Sequence, residues 1–296
     1  MRASIWTLTV LSRLAEHHPR FADSILAISG VSGGALGATY FAASRHADFR
    51  ACAQTLAAAT DQKSLGSSEP EKMANTVVRR VLRRLSSYDS LSPLFANLVF
   101  LDLPMQFLLV NAPDRARALE ISWERAWANS IAEQMERADS SKLSEAAAAC
   151  GKAQALMANS FLSLYYACDR GGCALSGAPV PFLLLNGTSV STGRRLITSP
   201  VSFEEGQGWR QPRDLDGSAW EDTEGSAAKH AVDLLDLWPA SIRLSTAANN
   251  ASRFPLLEPA GTFSVVQHGG GVQDRIVDGG DFRNYGAGSP RGLPGI

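Results

Sequence analysis

The chain has 296 residues, of which 45% are hydrophobic and 19% charged, and its formal net charge at pH 7 is −1. This composition is typical of a folded globular protein, and the length is enough for one large core or two small ones. Because the charge is nearly balanced, nothing in the composition favours nucleic acid as a partner.

The first 18 residues, MRASIWTLTVLSRLAEHH, predict an amphipathic helix. The apolar run within it, at 4–11, is only eight residues long and is followed by Arg13 and Glu16, so it is a poor match to a secretory signal peptide. Residues 24–44 carry no charge, but they are rich in Gly and Ser, so we expect no transmembrane helix there. The sequence does not indicate a cellular compartment, and it is compatible with peripheral association with a membrane.

Ser32 lies among glycines in the stretch AISGVSGGALG (27–37). The residues SILAI (24–28) predict a buried strand before it, and ALGATYFAASRH (35–46) predicts a helix after it. A flexible turn is one interpretation of such a cluster. The strand-to-helix setting favours a nucleophile elbow, in which a strained turn exposes the serine and the unpaired N–H groups of the new helix face an oxyanion. We therefore expect Ser32 to be a nucleophile. The elbow glycines are Gly30, Gly33 and Gly34.

The Ala-rich middle of the chain, residues 51–175, predicts mostly helix. Amphipathic patterns cover 71–86, 115–138 and 142–168. The stretch LSPLFANLVFLDLPMQFLLV (91–110) is unusually apolar, but two prolines and an aspartate interrupt it, so it does not predict a membrane span. Two interpretations remain, a buried helix pair and an interfacial surface that faces lipid. The candidates for that surface are Leu94, Phe95, Val99, Phe100, Leu103 and Phe107.

Four cysteines, Cys52, Cys150, Cys168 and Cys173, lack the paired spacing of a zinc site, so we expect no bound metal. Cys168 and Cys173 flank the turn DRGG. In an oxidising compartment they would close a small disulfide loop, and otherwise they are two free thiols at a turn.

Strand patterns return in the last third of the chain. They cover 181–190, 194–203, 262–268 and 274–280. The polar, Gly-rich and acidic stretch 204–230 predicts an exposed loop. Strands, a long run of helices and further strands in this order predict an α/β fold with a large helical insertion.

A serine hydroxyl is a poor nucleophile until a base removes its proton. His46, His230 and His268 are the histidines after the elbow that could do so, and His268 lies in the Gly-rich run QHGGG. A stronger candidate is Asp278, because it ends the apolar strand pattern RIVD and is followed by Gly279 and Gly280. Glycines allow the backbone to turn beside another segment, so the carboxylate could approach an elbow on a neighbouring strand. An ordinary Asp-Gly turn is the alternative.

These motifs together resemble the patatin-like phospholipases, acyl hydrolases that use a Ser-Asp dyad. The family's Gly-x-Ser-x-Gly elbow matches residues 30–34, and its Asp-Gly-Gly/Ala motif matches residues 278–280. The stretch STAANNASRFPLLEPAG (245–261) is similar to the family's segment before the dyad aspartate. The stretch LLLNGTSVSTGRRLITSP (183–200) is similar to its Asn-x-Thr strand and Thr-Gly-Arg turn.

The resemblance implies a single patatin-like domain, a three-layer α/β/α sandwich with a large helical insertion. Its parts are an elbow half (1–50), the insertion (51–175) and the strands that carry the dyad aspartate (176–296). It also implies that Ser32 and Asp278 cleave acyl esters of lipids through an acyl-enzyme, at a lipid or membrane surface. That chemistry needs neither a metal nor an organic cofactor.

The start of the chain departs from the family pattern. The family's oxyanion loop reads Gly-Gly-Gly-x-Arg-small, and here Met1, Arg2 and Ala3 match only its last three positions. The glycines and the first strand before them are missing, which favours a start codon assigned too late. Because loss of one oxyanion donor costs on the order of 10² to 10³ in rate, we expect the chain as printed to be impaired.

Two other functions remain open from the sequence. One is a non-catalytic, membrane-associated or scaffold protein that keeps the fold but does not turn over esters. The other is an esterase that uses a histidine, with His268 as the candidate base.

Overall fold

A computed structural model describes most of the chain, and the description below is confined to these residues. They are 2–18, 20–60, 66, 69–89, 91–102, 115–169, 172–175, 179–201, 231–237, 241–254, 258–267 and 270–280. The predicted loop 204–230, His230, His268, Leu103 and Phe107 lie outside them.

The helices occupy mainly the first half of the chain. They are α1 (Arg2–His17), α2 (Phe21–Ser24), α3 (Gly33–Ala43), α4 (Ala47–Ala59), α5 (Pro70–Ser86), α6 (Leu91–Asn97), α7 (Arg115–Met135), α8 (Leu143–Ala155), α9 (Leu234–Leu237) and α10 (Leu244–Asn250). A π-helical turn, Leu98–Asp102, continues α6. No helix in the described part of the chain is long and apolar enough to cross a lipid bilayer.

The strands form one mixed sheet and a separate hairpin. They are β1 (Ala27–Val31), β2 (Tyr166–Asp169), β3 (Gly172–Leu175), β4 (Phe182–Ser189), β5 (Arg195–Thr198), β6 (Ala231–Asp233), β7 (Gly261–Gln267) and β8 (Gly270–Asp278). The sheet has the order β6-β5-β4-β8-β7, and β1 also pairs with β4. The fold is therefore of the α/β class, as the sequence predicts.

Several predicted boundaries are wrong. The strand predicted over 194–203 ends at Thr198, and the strand predicted over 274–280 is Gly270–Asp278. The helix predicted over 142–168 ends at Ala155, and two 3₁₀ turns follow before β2 begins at Tyr166. Phe161 and Leu164 in these turns are buried, and their spacing continues the apolar pattern of the helix. The pattern therefore predicts a longer helix than the structure has. The strand predicted over 24–28 is shifted, because α2 extends to Ser24 and β1 runs on to Val31.

Helix α1 packs closely on α3, the helix that follows the elbow. A Cβ on Gly37 would lie 2.6 Å from the Ser4 carbonyl oxygen, so only glycine allows this approach. A Cβ on Gly33 would lie 3.1 Å from the Ala3 Cβ. The first turn of α1, which begins at Arg2, therefore lies against the first turn of α3.

The helical core is centred on Trp127 of α7, which is fully buried. Its ring stacks on Tyr40 with centroids 6.1 Å apart and contacts Phe49 at 5.0 Å. Its indole N–H donates to the Ala153 carbonyl at 2.8 Å, so the buried polar atom is satisfied. These contacts join α7 to α3, α4 and α8, so the predicted helical insertion shares its core with the helix of the elbow.

A disulfide between Cys52 of α4 and Cys150 of α8 crosses this core, and no sequence pattern predicts it. The two cysteines are 98 residues apart, so no local spacing could signal the bond. The backbones of Cys168 and Cys173 are directly opposite each other in the β2–β3 hairpin. Residues 170 and 171 of the predicted turn lie outside the described residues, and the state of these two thiols stays a prediction.

Candidate active site

Ser32 occupies the turn between β1 and α3, as predicted for a nucleophile elbow. Its backbone has φ 53° and ψ −140°, a conformation that residues with a side chain rarely adopt. Among the described residues other than glycine, it alone has a positive φ. Backbone strain of this kind costs on the order of 1–3 kcal/mol and is concentrated at functional sites. The serine is half-buried, so solvent reaches it.

Small residues around Ser32 make the turn possible. A Cβ on Gly30 would lie 2.7 Å from the Ala35 Cα, because β1 and α3 approach each other there. The Ser32 carbonyl accepts the Ala35 N–H at 3.0 Å, which begins the helix. The N–H groups of Gly33 and Gly34 belong to the first turn of α3, where no intrahelical acceptor exists. The positive end of the helix dipole is therefore directed at the elbow.

The strand pairing brings the end of β1 to the end of β8. Strand β5 pairs with β4 residues 185–188, so it occupies one edge of β4. Strand β1 pairs with β4 residues 182–186 and β8 with residues 187–189. Both ranges overlap the stretch that β5 occupies, so β1 and β8 must lie on the other edge. β1 is parallel to β4 with Val31 opposite Asn186, and β8 is antiparallel to β4 with Asp278 opposite Gly187. The carboxyl ends of β1 and β8 therefore meet head to head.

The residues at this junction are in contact. Val31 and Asp278 face consecutive residues of β4, which lie about 3.3 Å apart along a strand. A Cβ on Gly279 would lie 2.7 Å from a methyl carbon of Val31 and 2.2 Å from the Asn186 carbonyl oxygen. Glycine is thus required directly after Asp278 for the two strand ends to approach. Ser32 directly follows Val31, the last residue of β1, and Asp278 is the last residue of β8.

One short segment after α10 fixes both backbones. The Ser32 N–H donates to the Ala251 carbonyl at 2.7 Å. The Asp278 N–H donates to the Arg253 carbonyl at 2.9 Å. The segment 251–253 therefore acts as a common support for the two candidate catalytic residues, and we call it the support segment.

The Asp278 carboxylate is buried, with 4% of the residue surface exposed. Its Oδ1 accepts the Gly280 N–H at 2.8 Å, which holds the side chain in a short turn. The Thr188 hydroxyl donates to the Asp278 carbonyl at 3.3 Å. A carboxylate held in this way has a defined orientation at the junction of β1 and β8.

Asn186 of β4 stabilises the same junction. Its Nδ2 donates to the Gly30 carbonyl at 2.8 Å and to the Ser29 hydroxyl at 3.0 Å. Its Oδ1 accepts from the Arg195 Nε at 2.8 Å. The asparagine therefore ties the last residues of β1 to β4. It corresponds to the Asn of the Asn-x-Thr pattern, but the sequence did not predict a role for it.

His46 is a poor candidate for the base, and His230 lies outside the described residues. His46 begins α4, where its Nδ1 accepts the Asp48 N–H at 3.2 Å and burial lowers its pKa. The eleven residues of α3, about 16 Å of helix, separate it from Ser32. His268 lies outside the described residues, but Gly270 begins β8 at the end opposite to Asp278. Nine residues of strand span about 26 Å.

The predicted lipid-facing stretch divides into buried and exposed parts. Phe95, Val99 and Phe100 are 46%, 50% and 74% exposed. Leu94 is buried, so its assignment to an exposed surface is wrong. It faces inward because α6 packs against α7, and that contact needs an apolar residue.

No three or more His, Cys, Asp or Glu side chains in the described residues come together as a set of metal ligands. Comparisons of the chain with models of protein families, with curated proteins and with solved structures found no match. Its function is therefore inferred from the geometry around Ser32 and Asp278 and from the motifs that contain them.

Proposed function

We propose that this chain is a lipid acyl hydrolase in which Ser32 is the nucleophile and Asp278 the base. The observation that carries the proposal is the head-to-head meeting of β1 and β8 on one edge of β4. It brings a strained serine and a buried carboxylate, each predicted from sequence motifs, to the same point of the sheet.

In the acylation step, the Ser32 hydroxyl oxygen attacks the carbonyl carbon of the ester while Asp278 takes its proton. The tetrahedral intermediate then collapses, the bond to the alcohol breaks, and Asp278 returns the proton to the leaving alkoxide. The product is an acyl-enzyme with an ester at Ser32. Because Oδ1 of Asp278 is held by the Gly280 N–H, the second oxygen is the one assigned to proton transfer.

In the deacylation step, water attacks the acyl-enzyme and Asp278 takes the proton of the water. Collapse of the second tetrahedral intermediate releases the carboxylic acid, and the proton returns to Ser32. In both steps the oxyanion is assigned to the N–H groups of Gly33 and Gly34, aided by the α3 dipole. The first turn of α1, from Arg2, borders this position because Ala3 lies against Gly33.

The proposed fold is the patatin-like three-layer sandwich, with α4 to α8 as its helical insertion. The proposed substrate is an acyl lipid in an aggregate or at a membrane surface. The exposed side chains of Phe95, Val99 and Phe100 support this choice, because an enzyme that acts on aggregated lipid must bring an apolar surface to the interface.

The strained backbone of Ser32 favours catalysis over a scaffold role. A protein that only keeps the fold gains nothing from a serine with φ 53°, since glycine would adopt that turn without strain. The length of β8 between Gly270 and Asp278 favours the Ser-Asp dyad over an esterase that uses His268.

The test is fatty acid release from phospholipid, lysophospholipid and neutral lipid, measured beside the Ser32→Ala variant. We expect release by the wild type only, and a rapid acid quench should leave one acyl group on the peptide that contains Ser32. Equal release by Ser32→Ala, without an acylated peptide, would exclude the proposal.

A further inference from the structure

A buried arginine, Arg253, lies at the end of the support segment that holds Ser32 and Asp278. Only 7% of its side chain is exposed. Its Nε donates to the Asn250 Oδ1 at 3.0 Å and its Nη1 donates to the Pro259 carbonyl at 3.1 Å. The guanidinium therefore ties the end of α10 to the residues that lead into β7.

Arg253 pairs with Glu120 of α7, whose side chain is only 4% exposed. The Arg253 Nη2 lies 3.7 Å from the Glu120 Oε1. Glu120 also accepts from the Thr246 hydroxyl at 2.9 Å and from the Asn249 amide at 3.2 Å, both in α10. Glu120 also pairs with Arg117, whose Nη1 lies 3.0 Å from the Glu120 Oε2. Loss of Glu120 would therefore remove a buried acidic partner from both arginines, and loss of a buried charge partner is costly.

Gly261, at the start of β7, leaves the space that the guanidinium fills. A Cβ at this glycine would lie 2.8 Å from the Arg253 Nε and 3.1 Å from its Cζ. The arginine is thus fixed on one side by α7, on a second by the Asn250 amide and on a third by the backbone of β7. These three contacts are made with residues other than Ser32 and Asp278.

We infer that Arg253 is a positioning residue of the proposed active site, an inference that rests on the proposed function. Through Glu120 and Asn250 it fixes the support segment, and the carbonyls of that segment accept the N–H groups of Ser32 and Asp278. Arg253 therefore sets the position of the nucleophile relative to the base without touching substrate.

The first test is amide hydrogen exchange, which does not depend on catalysis. In Arg253→Met, the amides of Ser32 and Asp278 should both exchange at least about tenfold faster, because the carbonyls that accept their hydrogen bonds lose their anchor. Amides at the centre of α7, such as that of Trp127, should keep their protection. Arg253→Lys and Glu120→Gln keep part of the contact and should give intermediate rates.

The matched control is Arg45→Met. Arg45 is also largely buried and pairs with Asp23, but it lies beyond the far end of α3. This variant should leave the Asp278 amide protected. Unchanged exchange at Ser32 and Asp278 in Arg253→Met would overturn the inference. Equal loss of protection along the whole chain in Arg253→Met, Arg253→Lys and Glu120→Gln would overturn it too, since the role would then be structural only.

The second readout is the rate at which a fluorophosphonate labels folded protein. Arg253→Met should react at least about tenfold more slowly than wild type, Arg253→Lys should recover part of the rate, and Arg45→Met should match wild type. Equal rates in all four proteins would contradict the positioning role. If the wild type is not labelled, the proposed function fails, and hydrogen exchange still decides whether Arg253 fixes the two amides.

Discussion

Ser32 and Asp278 lie at opposite ends of the sequence, yet their N–H groups donate to carbonyls only two residues apart, those of Ala251 and Arg253. One is at the end of β1 and the other at the end of β8, and both strands lie on the same edge of β4. The relationship between them is therefore set by backbone hydrogen bonds. Side chains at the two positions can be changed while this framework is kept.

The change Asp278→Asn tests the base. The carboxamide oxygen can still accept the Gly280 N–H, so folding should be nearly unaffected. A carboxamide cannot take a proton from Ser32, so the rate of ester hydrolysis should fall by at least about 100-fold. Steady-state kinetics and thermal unfolding of the same preparation measure the two effects separately.

The matched control for this change is Asp274→Asn, on the same strand. Burial acts to raise the pKa of Asp274, but hydrogen bonds from Ser189 and Ser191 outweigh it and hold that pKa below its ordinary value. Asp274 therefore stabilises the fold above the unfolded-state pKa, and this contribution is lost as the pH falls. Asp274→Asn should lose stability at neutral pH but keep its activity. Activity loss of equal size in both variants would argue against Asp278 as the base.

The change Gly279→Ala tests the close approach of the two strand ends. Because its Cβ would lie 2.2 Å from the Asn186 carbonyl oxygen, the backbone must shift, and we expect a loss of about 1–3 kcal/mol in the free energy of unfolding. Hydrolysis should fall as well, since the shift separates Asp278 from Ser32.

The control for Gly279→Ala is Gly151→Ala in α8. Nothing lies within 4 Å of a Cβ there, so alanine should stabilise the helix by about 0.5–1 kcal/mol and leave activity unchanged. Urea unfolding of both variants measures the difference. A stable and fully active Gly279→Ala would show that the two strand ends are not in this contact.

The disulfide between Cys52 and Cys150 should contribute to stability. It closes a loop of 98 residues and joins α4 to α8 in the core. The double change Cys52→Ala with Cys150→Ala should lower the free energy of unfolding by about 2–4 kcal/mol. Peptide mapping of the unreduced wild type should find the two cysteines linked. Alkylation of both by iodoacetamide, in unfolded protein that was never reduced, would rule out the bond.

The exposed aromatic residues of α6 and the adjoining π-helical turn should contact the lipid surface. The double change Phe95→Ser with Phe100→Ser should weaken binding to phospholipid vesicles by at least about tenfold. The reason is that two large apolar side chains are then no longer transferred from water to lipid when the protein binds. Flotation with vesicles measures this binding. Leu26→Ser is the control, since Leu26 is 73% exposed but lies before β1. Unchanged flotation of the folded double variant would exclude this contact.

The sequence predicted the candidate site better than its surroundings. The glycines beside Ser32 and Asp278 reflect close backbone contacts, and such contacts leave a readable pattern of small residues. The partners Asn186, Ala251 and Arg253 are joined to the site by long-range pairing. A single sequence carries no local signal for such pairing.

The helix boundaries were predicted less well for a related reason. Buried 3₁₀ turns at Phe161 and Leu164 give the same apolar spacing as a helix, so the pattern could not mark the end of α8 at Ala155. The bond between Cys52 and Cys150 depends on the packing of two helices far apart in the chain. Neither feature can be derived before the tertiary structure is known.

Labelling by a fluorophosphonate probe, followed by peptide mapping, tests the central claim most directly. A serine activated by a neighbouring base reacts with such a probe, whereas an ordinary surface serine does not. The prolonged reaction of the wild-type chain should place the label on Ser32 alone. Ser32→Ala should remain unlabelled, and Asp278→Asn should be labelled far more slowly. A label that persists in Ser32→Ala, or a wild type that stays unlabelled while properly folded, would contradict the Ser32–Asp278 dyad.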